Sequence, residues 1–318
     1  MTSSEISTGP CRLSGIVVHW NNEELLDRLV EAWPEDPRFE LIVVDNSASA
    51  EVSEQRVRLL RPAENLGFGG GANLGVREAR APVVLILNPD AVPEPGALEA
   101  LLDGFRRHPE AMGLAPRLSG SDGEPQFRWQ LRPLPTLLTL LAQALLIPAG
   151  AGSPREPAEG SLVEQPAAAA LALRRRAFVD LGGFDERFYP AWFEDVDLAR
   201  RFQNQNLPLL YWPASRFRHG LGGSVPHLGY GPFLWIYYRN LMLYLAKHHG
   251  PLGVGLARLL LAVGMVLRGC LLPLRKPKRA TSRGQAAAGL WAVIAGAASN
   301  WQRPRRLRQR FSRSEPPE

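Results

Sequence analysis

Residues 14–47, SGIVVHWNNEELLDRLVEAWPEDPRFELIVVDNS, decide the fold class. Residues 14–20 are a short apolar run that stops at Asn21 and Asn22. Leu25, Leu26, Leu29, Val30 and Trp33 then recur at helical spacing, and residues 39–44 form a second apolar run ending in Asp45, Asn46 and Ser47. Short apolar runs bounded by turn residues, with an amphipathic segment between them, read as strand, helix and strand. The alternation continues with a weaker strand at 57–60, a glycine-rich loop, a helix over 73–79 and a strand at 82–87 ending in Asn88, Pro89 and Asp90. A helix at 98–105 and a strand at 112–118 follow. This predicts an α/β domain with a largely parallel sheet. Such sheets bind ligands outside the carboxyl ends of their strands, where Asn21, Asp45 and Asp90 gather.

Residues 181–201, LGGFDERFYPAWFEDVDLARR, set a glycine turn, an aromatic cluster and three close carboxylates at a helix start. Glu194 and Asp195 fall in or just before the first turn, where backbone N–H groups favour anions. A carboxylate there is expected to stay ionised, which suits a general base. The plainer reading is a pair of helix caps.

Composition bounds the rest. With 318 residues and 45% hydrophobic content, the chain is globular and fits one large domain or two ordinary ones. Cys11 and Cys270 are too few for a disulfide framework and lack zinc-ligand spacing, which fits a reducing, cytoplasmic setting. The N-terminus shows neither a signal peptide nor a transit pattern. The net charge of +6 is uneven, with Arg268, Arg275, Lys276, Lys278, Arg279 and Arg283 followed by an arginine-rich end. Residues 128–147 are Leu-rich with flanking arginines and read as one interfacial or packed helix, followed by a mobile Gly/Ala/Pro loop at 148–157.

Residues 252–274 are the one apolar run of membrane-spanning length. Their twelve Leu and Val gain about 5 kcal/mol on insertion, whereas Arg258 and Arg268 cost up to about 3 kcal/mol each at the bilayer centre. The sum is near zero, so a helix or helix pair lying in the interface fits better than a span. Residues 286–298 are too short to span alone. With its basic flanks this third reads as a dock for anionic lipid, not nucleic acid; the bland reading is a helical appendage packed on the enzyme or on a second subunit.

Gly67, Gly69 and Ala72 fit the GxGxxA spacing of a dinucleotide site, with Asp90 at the distance of a ribose-binding acid. Pro62 to Leu66 separate this loop from its strand, and it follows the third strand rather than the first, both against the fingerprint.

Taken together, the motifs resemble family 2 inverting glycosyltransferases of the GT-A fold, most closely their rhamnosyltransferase-like branch. The resemblance rests on VVHWNNEELL, VVDNSA, NLGFGGGANLGV, LILNPDAVP, ALRRRAFVDLGGFDERF, FEDVDLARR, HGLGGS at 219–224 and YYRNLMLY, in the family's order. It implies a GT-A domain over 12–250 after a disordered N-terminus at 1–11, with a basic helical, membrane-docking appendage and disordered tail at 251–318. It implies donor contacts by Asn21, Asp45, Asn73, Asn88, Asp90, His219 and Ser224, with Asn73 at a helix start and the preceding glycines admitting the donor. Asn88-Pro89-Asp90 stands where the family has DxD, so a divalent metal (Mg²⁺ or Mn²⁺) would rest on Asp90, one carboxylate short of the usual pair. Asp195 would be the catalytic base, and Asp185, Glu194 and Arg239 would meet the acceptor. His219 could equally be a hydrogen-bonded loop histidine, and Arg239 could grip an acceptor phosphate or pair with the acidic helix.

The implied activity is transfer of a sugar, first L-rhamnose from dTDP-L-rhamnose, to a lipid-linked glycan at the inner face of the cell membrane, with a homo-oligomer possible. A galactofuranosyl or other family 2 transferase and a catalytically silent, membrane-docked scaffold are the alternatives.

Overall fold

Strand β1 (Leu13–His19) is buried along its whole length, and alternate side chains point to opposite faces of the sheet. Leu13 and Val17 join one core, Ile16 and Val18 the other. The strand reads as continuously apolar because helices cover both faces. These positions come from a computed structural model, which describes residues 11–21, 23–47, 50, 52, 56–145, 155–220, 229–274, 277, 280–299 and 301.

The chain continues through α1 (Glu23–Ala32), β2 (Phe39–Asp45), β3 (Arg58–Leu60), α2 (Gly67–Glu78), β4 (Val83–Leu87), β5 (Ala91–Pro93), α3 (Ala97–Arg107) and β6 (Gly113–Ser119). Next come α4 (Phe127–Gln130), β7 (Leu131–Arg132), α5 (Leu137–Ala144), β8 (Gln165–Pro166), β9 (Ala170–Arg174), α6 (Arg175–Asp180) and α7 (Glu194–Asn204). The last elements are β10 (Leu209–His219), α8 (Tyr230–His248), α9 (Gly250–Leu271) and α10 (Arg283–Ala298). Eight strands form one sheet in the order β3-β2-β1-β4-β9-β6-β10-β5. One core holds α1 and α3 through Leu26, Leu29, Leu101 and Phe105, and the other holds α2, α6 and α7 through Val76, Phe178, Leu198 and Phe202.

Three expectations are corrected. The sheet is mixed: β9 runs antiparallel between β4 and β6, and β5 antiparallel on β10. Helix α2 begins at Gly67 rather than near 73, because Asn46 holds its first turn, accepting from Leu66 N at 3.1 Å and donating to the Gly67 carbonyl at 3.1 Å. The Leu-rich stretch 128–147 is not one helix. Pro133 and Pro135, which lack N–H groups, separate α4 and β7 from α5.

The glycines of α2 serve packing. A Cβ on Gly75 would stand 2.4 Å from Ile16 Cγ2, and one on Gly71 2.9 Å from Val18 Cγ1. The helix thus lies closer to β1 than any larger residue permits, so this run lines the helix and sheet interface rather than a dinucleotide loop.

By contact, the chain falls into two compact units, one built on the eight-stranded sheet and the other on α5, α8, α9 and α10 with residues 188–193. This division differs from the boundary expected at 250, since α8 packs with α9 and α10. Small residues let these helices approach, as where Gly289 on α10 meets Gly231 on α8. The expected disordered ends, apart from Cys11 and Trp301, and most of the 148–157 loop lie outside the described residues.

Gly75→Ala should lower stability by about 1–3 kcal/mol through overpacking against Ile16, read from urea unfolding. Gly255→Ala, where nothing lies within 4 Å, should be neutral or gain up to about 1 kcal/mol.

Candidate active site

The parallel strands β2, β1 and β4 end side by side, and their last residues or the turns just after them carry Asp45, His19 with Asn21, and Asn88 with Asp90. Asp45 is almost fully buried. Its carboxylate accepts from Ser47 N at 3.0 Å, Ser47 Oγ at 2.8 Å and Ala50 N at 2.8 Å, folding the turn after β2 onto itself. Asn21 adopts a positive φ of 50°, and its N–H donates to Ser47 Oγ at 3.3 Å. His19 lies opposite Asp45 in register, is fully buried, and neither ring nitrogen has a hydrogen-bond partner. Burial lowers its pKa against the pull of Asp45, Glu23 and Asp27. Sequence reading passed over His19 because a histidine inside an apolar run looks like strand.

Asp90 faces His219 at the end of β10, with Nε2 3.4 Å from Asp90 Oδ1. Gln126 settles the histidine's tautomer. Its Nε2 donates to the His219 carbonyl at 2.9 Å, which turns its Oε1 to His219 Nδ1 at 2.8 Å. An amide oxygen only accepts, so Nδ1 carries the hydrogen and the neutral ring's Nε2 offers a lone pair. That lone pair confronts a carboxylate, and Nε2 has no hydrogen-bond partner. With the ring neutral, two acceptors this close repel, so a proton or a metal ion would lie between them. A divalent cation held by carboxylate and imidazole fits that donor set, and the second-sphere amide that orients the imidazole is a common companion of such ligands. Trp129 stacks on the same ring, centroids 5.1 Å apart. No group of three or more His, Cys, Asp or Glu suited to a metal occurs among the described residues, so a metal would draw its remaining ligands from Asn88, substrate and water. Gln126 and Trp129 left no sequence signal, being single residues in a loop and a one-turn helix. Ser224 lies outside the described residues.

Asp195 reaches this edge of the sheet through Ala168 and Ala169. Its Oδ2 accepts from Ala168 N at 3.4 Å and its Oδ1 from Val196 N at 2.8 Å, while the next carbonyl, of Ala169, accepts from Asn88 N at 2.9 Å. One peptide step therefore links the carboxylate at the start of α7 to the Asn88-Pro89-Asp90 turn. Burial raises the Asp195 pKa, opposed by the charge of Arg132 and by the backbone N–H groups. Glu194 is 5% exposed with Oε2 lacking a hydrogen-bond partner, and burial, followed by the Asp195 charge, holds its pKa well above the ordinary value. The expectation that a helix start keeps both carboxylates readily ionised is thus corrected: desolvation outweighs the N–H field. The third carboxylate, Asp197, is fully buried and structural. It pairs with Arg201 at 2.9 Å, and that arginine donates to the Leu181 and Gly183 carbonyls at 2.7 and 2.6 Å.

Asn73 sits in the middle of α2, not at its start. Its amide donates to the Phe184 carbonyl at 2.9 Å and to Glu186 Oε1 at 3.1 Å, and accepts from Phe184 N at 2.8 Å. These bonds clamp the glycine turn, where Gly182 and Gly183 have φ of 83° and 67°. Asn73 is therefore a scaffold residue in this structure. Asp185 caps the following turn by binding Arg187 side chain and backbone. In the helical unit, Arg239 donates to the Tyr189 carbonyl at 3.3 Å and to Asn240 Oδ1 at 2.7 Å, and burial lowers its pKa. Asn240 donates to the Ala191 and Trp192 carbonyls at 2.8 and 3.0 Å, across a turn in which Trp192 and Phe193 both have φ of 73°. The asparagine of YYRN thus holds a strained turn.

A mixed sheet of this order, with carboxylate and amide side chains at the ends of its parallel strands, has the architecture of the GT-A fold. The family model for glycosyl transferase family 2 matches residues 14–178, more than half of the chain, and the chain belongs to that family. It is 31% identical over 216 residues, 61% of this chain and 68% of the relative, to an N-acetylglucosaminyl-diphospho-decaprenol L-rhamnosyltransferase of Mycobacterium tuberculosis. Its fold resembles that of a Pyrobaculum calidifontis mannosyltransferase in complex with GDP-Man and Mn²⁺, with a TM-score of 0.50 and 15% identity over 94% of this chain and 90% of that one. It also resembles GalNAc-T7 with UDP, GalNAc and Mn²⁺, with a TM-score of 0.51 and 14% identity; there 74% of this chain matches 48% of the larger one. The protein is a family 2, GT-A glycosyltransferase of the rhamnosyltransferase-like kind.

A carboxyl whose folded pKa exceeds its unfolded one favours the folded state at low pH. That contribution is lost as pH rises from the ordinary value toward the raised one. For Glu194 the loss begins near 4.5. The melting temperature of Glu194→Gln should therefore match the native protein below that pH and exceed it increasingly toward neutrality.

Proposed function

We propose that this enzyme transfers L-rhamnose from dTDP-L-rhamnose, with inversion, to a lipid-linked glycan acceptor in cell-wall, O-antigen or exopolysaccharide assembly, working peripherally on the cytoplasmic membrane face. The observation that carries the site is the link from Asp195 through Ala168 and Ala169 to Asn88. That link to the turn after β4, which carries Asp90, supports reading Asp195 and Asp90 as parts of one site. The mycobacterial relative supports rhamnose and a diphospholipid acceptor.

Asp195 acts as base. It takes the proton of the acceptor hydroxyl as that oxygen bonds to the anomeric carbon, and the nucleoside diphosphate leaves from the opposite face with the electron pair of the broken C–O bond. A burial-raised pKa makes this carboxylate a stronger proton acceptor than an ordinary aspartate. Glu194, whose pKa burial raises well above the ordinary value, is an acceptor candidate together with Asp185 and Arg239. Asp45 and Asn21 would serve the nucleoside, and Asn88, Asp90 and His219 the diphosphate; Ser224, also assigned to the donor by the family resemblance, lies outside the described residues. Asp90 and His219 would hold a divalent ion, which supplies positive charge to the departing diphosphate. Asn73 serves by fixing the turn at Phe184.

Asp195→Asn should lower kcat by about 10²–10⁴-fold while leaving donor affinity intact. In the native enzyme kcat/KM should rise with pH along an acid limb above the ordinary aspartate value of 3.8, since only the ionised base works. A thermal-shift panel of dTDP, UDP and GDP sugars with Mg²⁺, Mn²⁺ or chelator tests the donor, because a ligand at 100 times its Kd stabilises by about 2.7 kcal/mol. A UDP-galactofuranose response would replace rhamnose, and silence to every nucleotide would favour the scaffold reading. Gln126→Ala should weaken Mn²⁺ binding by about 10–100-fold in a spin-resonance titration of free Mn²⁺, with His219→Ala weaker still.

A further inference from the structure

Helix α9 turns an apolar face outward. Every exposed position along it is Leu, Val, Gly, Pro or Cys. The exposed Leu252, Leu256, Leu259, Val263, Val266 and Leu267 form one stripe along the helix. An ordinary soluble helix carries charge on that side. The opposite side is used within the helical unit, where Gly253, Ala257, Leu261, Gly264 and Met265 are buried and α5, α8 and α10 pack against α9. Trp291 on α10 is also 69% exposed, a residue type enriched at membrane interfaces.

Charge selects what covers this face. Between Asp197 and Glu315 the sequence contains no Asp or Glu, while Lys and Arg recur on both sides of α9. A second copy of the chain would bring the same cationic excess against itself, and a nucleic acid would gain nothing from leucines. An anionic lipid surface satisfies both the charge and the apolar stripe.

The neighbours of α9 select its orientation. Its 22 residues span about 33 Å, long enough to cross a bilayer. Yet its partner α8 carries Arg239, Asn240, Lys247 and His248, which a crossing helix would draw toward hydrocarbon at high cost. We propose that α9 lies in the plane of an anionic membrane surface with its stripe among the acyl chains. This deepens the peripheral-membrane reading above and is independent of which sugar is transferred.

The test uses the full chain and vesicles of phosphatidylglycerol with phosphatidylethanolamine, compared with phosphatidylcholine, in co-sedimentation. Leu259 and Val266 are 62% and 57% exposed, so Leu259→Glu with Val266→Glu should leave lipid-free melting and nucleotide-induced shifts unchanged. Binding to anionic vesicles should fall by about tenfold or more, the equilibrium change expected when buried apolar area is replaced by charge. Unchanged vesicle binding overturns the proposal. So does a dimer that these substitutions dissociate, seen without vesicle uptake, because it gives the stripe to a second copy.

Orientation is read from nitroxide depth at native Cys270 in a Cys11→Ser protein, and at Leu252→Cys and Val263→Cys in a protein lacking both native cysteines. An in-plane helix puts all three at similar depth. A deep Val263 position between two shallow ends shows a span and overturns it. If nucleotides fail to bind while vesicles behave as expected, the transferase reading falls and this one stands.

Discussion

The site hangs on one peptide step. Ala168 gives its N–H to Asp195, Ala169 gives its carbonyl to Asn88, and the next residue opens β9, which pairs antiparallel with β4. Backbone groups at the end of a strand cannot move far without breaking the ladder behind them. The spacing between the start of α7 and the Asn88-Pro89-Asp90 turn is therefore set by the sheet rather than by side-chain rotamers. The four alanines at 167–170 are all buried, and Ala168 shares a core with Leu198 and Ala199 of α7, so a larger side chain at 168 would push α7 away from the sheet edge.

Around that step, burial and polarity are set against each other. Desolvation raises Glu194 and Asp195, whereas Asp197, fully buried, is paired with Arg201 and serves the glycine turn. Three carboxylates within one helical turn thus acquire three environments from what each one meets: an unpartnered oxygen, two backbone N–H groups, or a guanidinium. At the other side of the site, Gln126 and Trp129 hold one imidazole by its edge and face. The same logic appears in the helical unit, where a single buried amide, Asn240, holds two residues of a positive-φ turn.

Much of this was legible in the sequence. The apolar runs of β1, β2 and β4 and the 3.6-residue spacing of α1, α3 and α7 marked their elements within a few residues, because each buries a regular face. The strand-end polar residues were visible as punctuation after those runs. Three things were hidden. Strand β9 is an alanine-leucine run with no alternation, since both its faces are covered and its partners lie far off in sequence. Helix α2 looked like a loop because glycine lowers helix propensity, whereas contact with β1 and the Asn46 clamp make it helical. The ionisation of Glu194 and Asp195 depends on what surrounds them in three dimensions, which spacing along the chain does not encode.

The insertion of β9 between β4 and β6 also has a consequence for synthesis. The parallel half-sheet β3-β2-β1-β4 is finished at Leu87, yet the strand that covers its β4 edge begins at Ala170, roughly 80 residues later. At translation rates of about 5–20 residues per second, that edge of Val and Leu stays unpaired for about 4–16 s after it emerges. An apolar strand with open N–H and C=O groups is a template for pairing with other chains. The nascent chain is thus most exposed to aggregation over this interval, and the antiparallel strand that follows the Ala168–Asp195 contact is also the one that ends it.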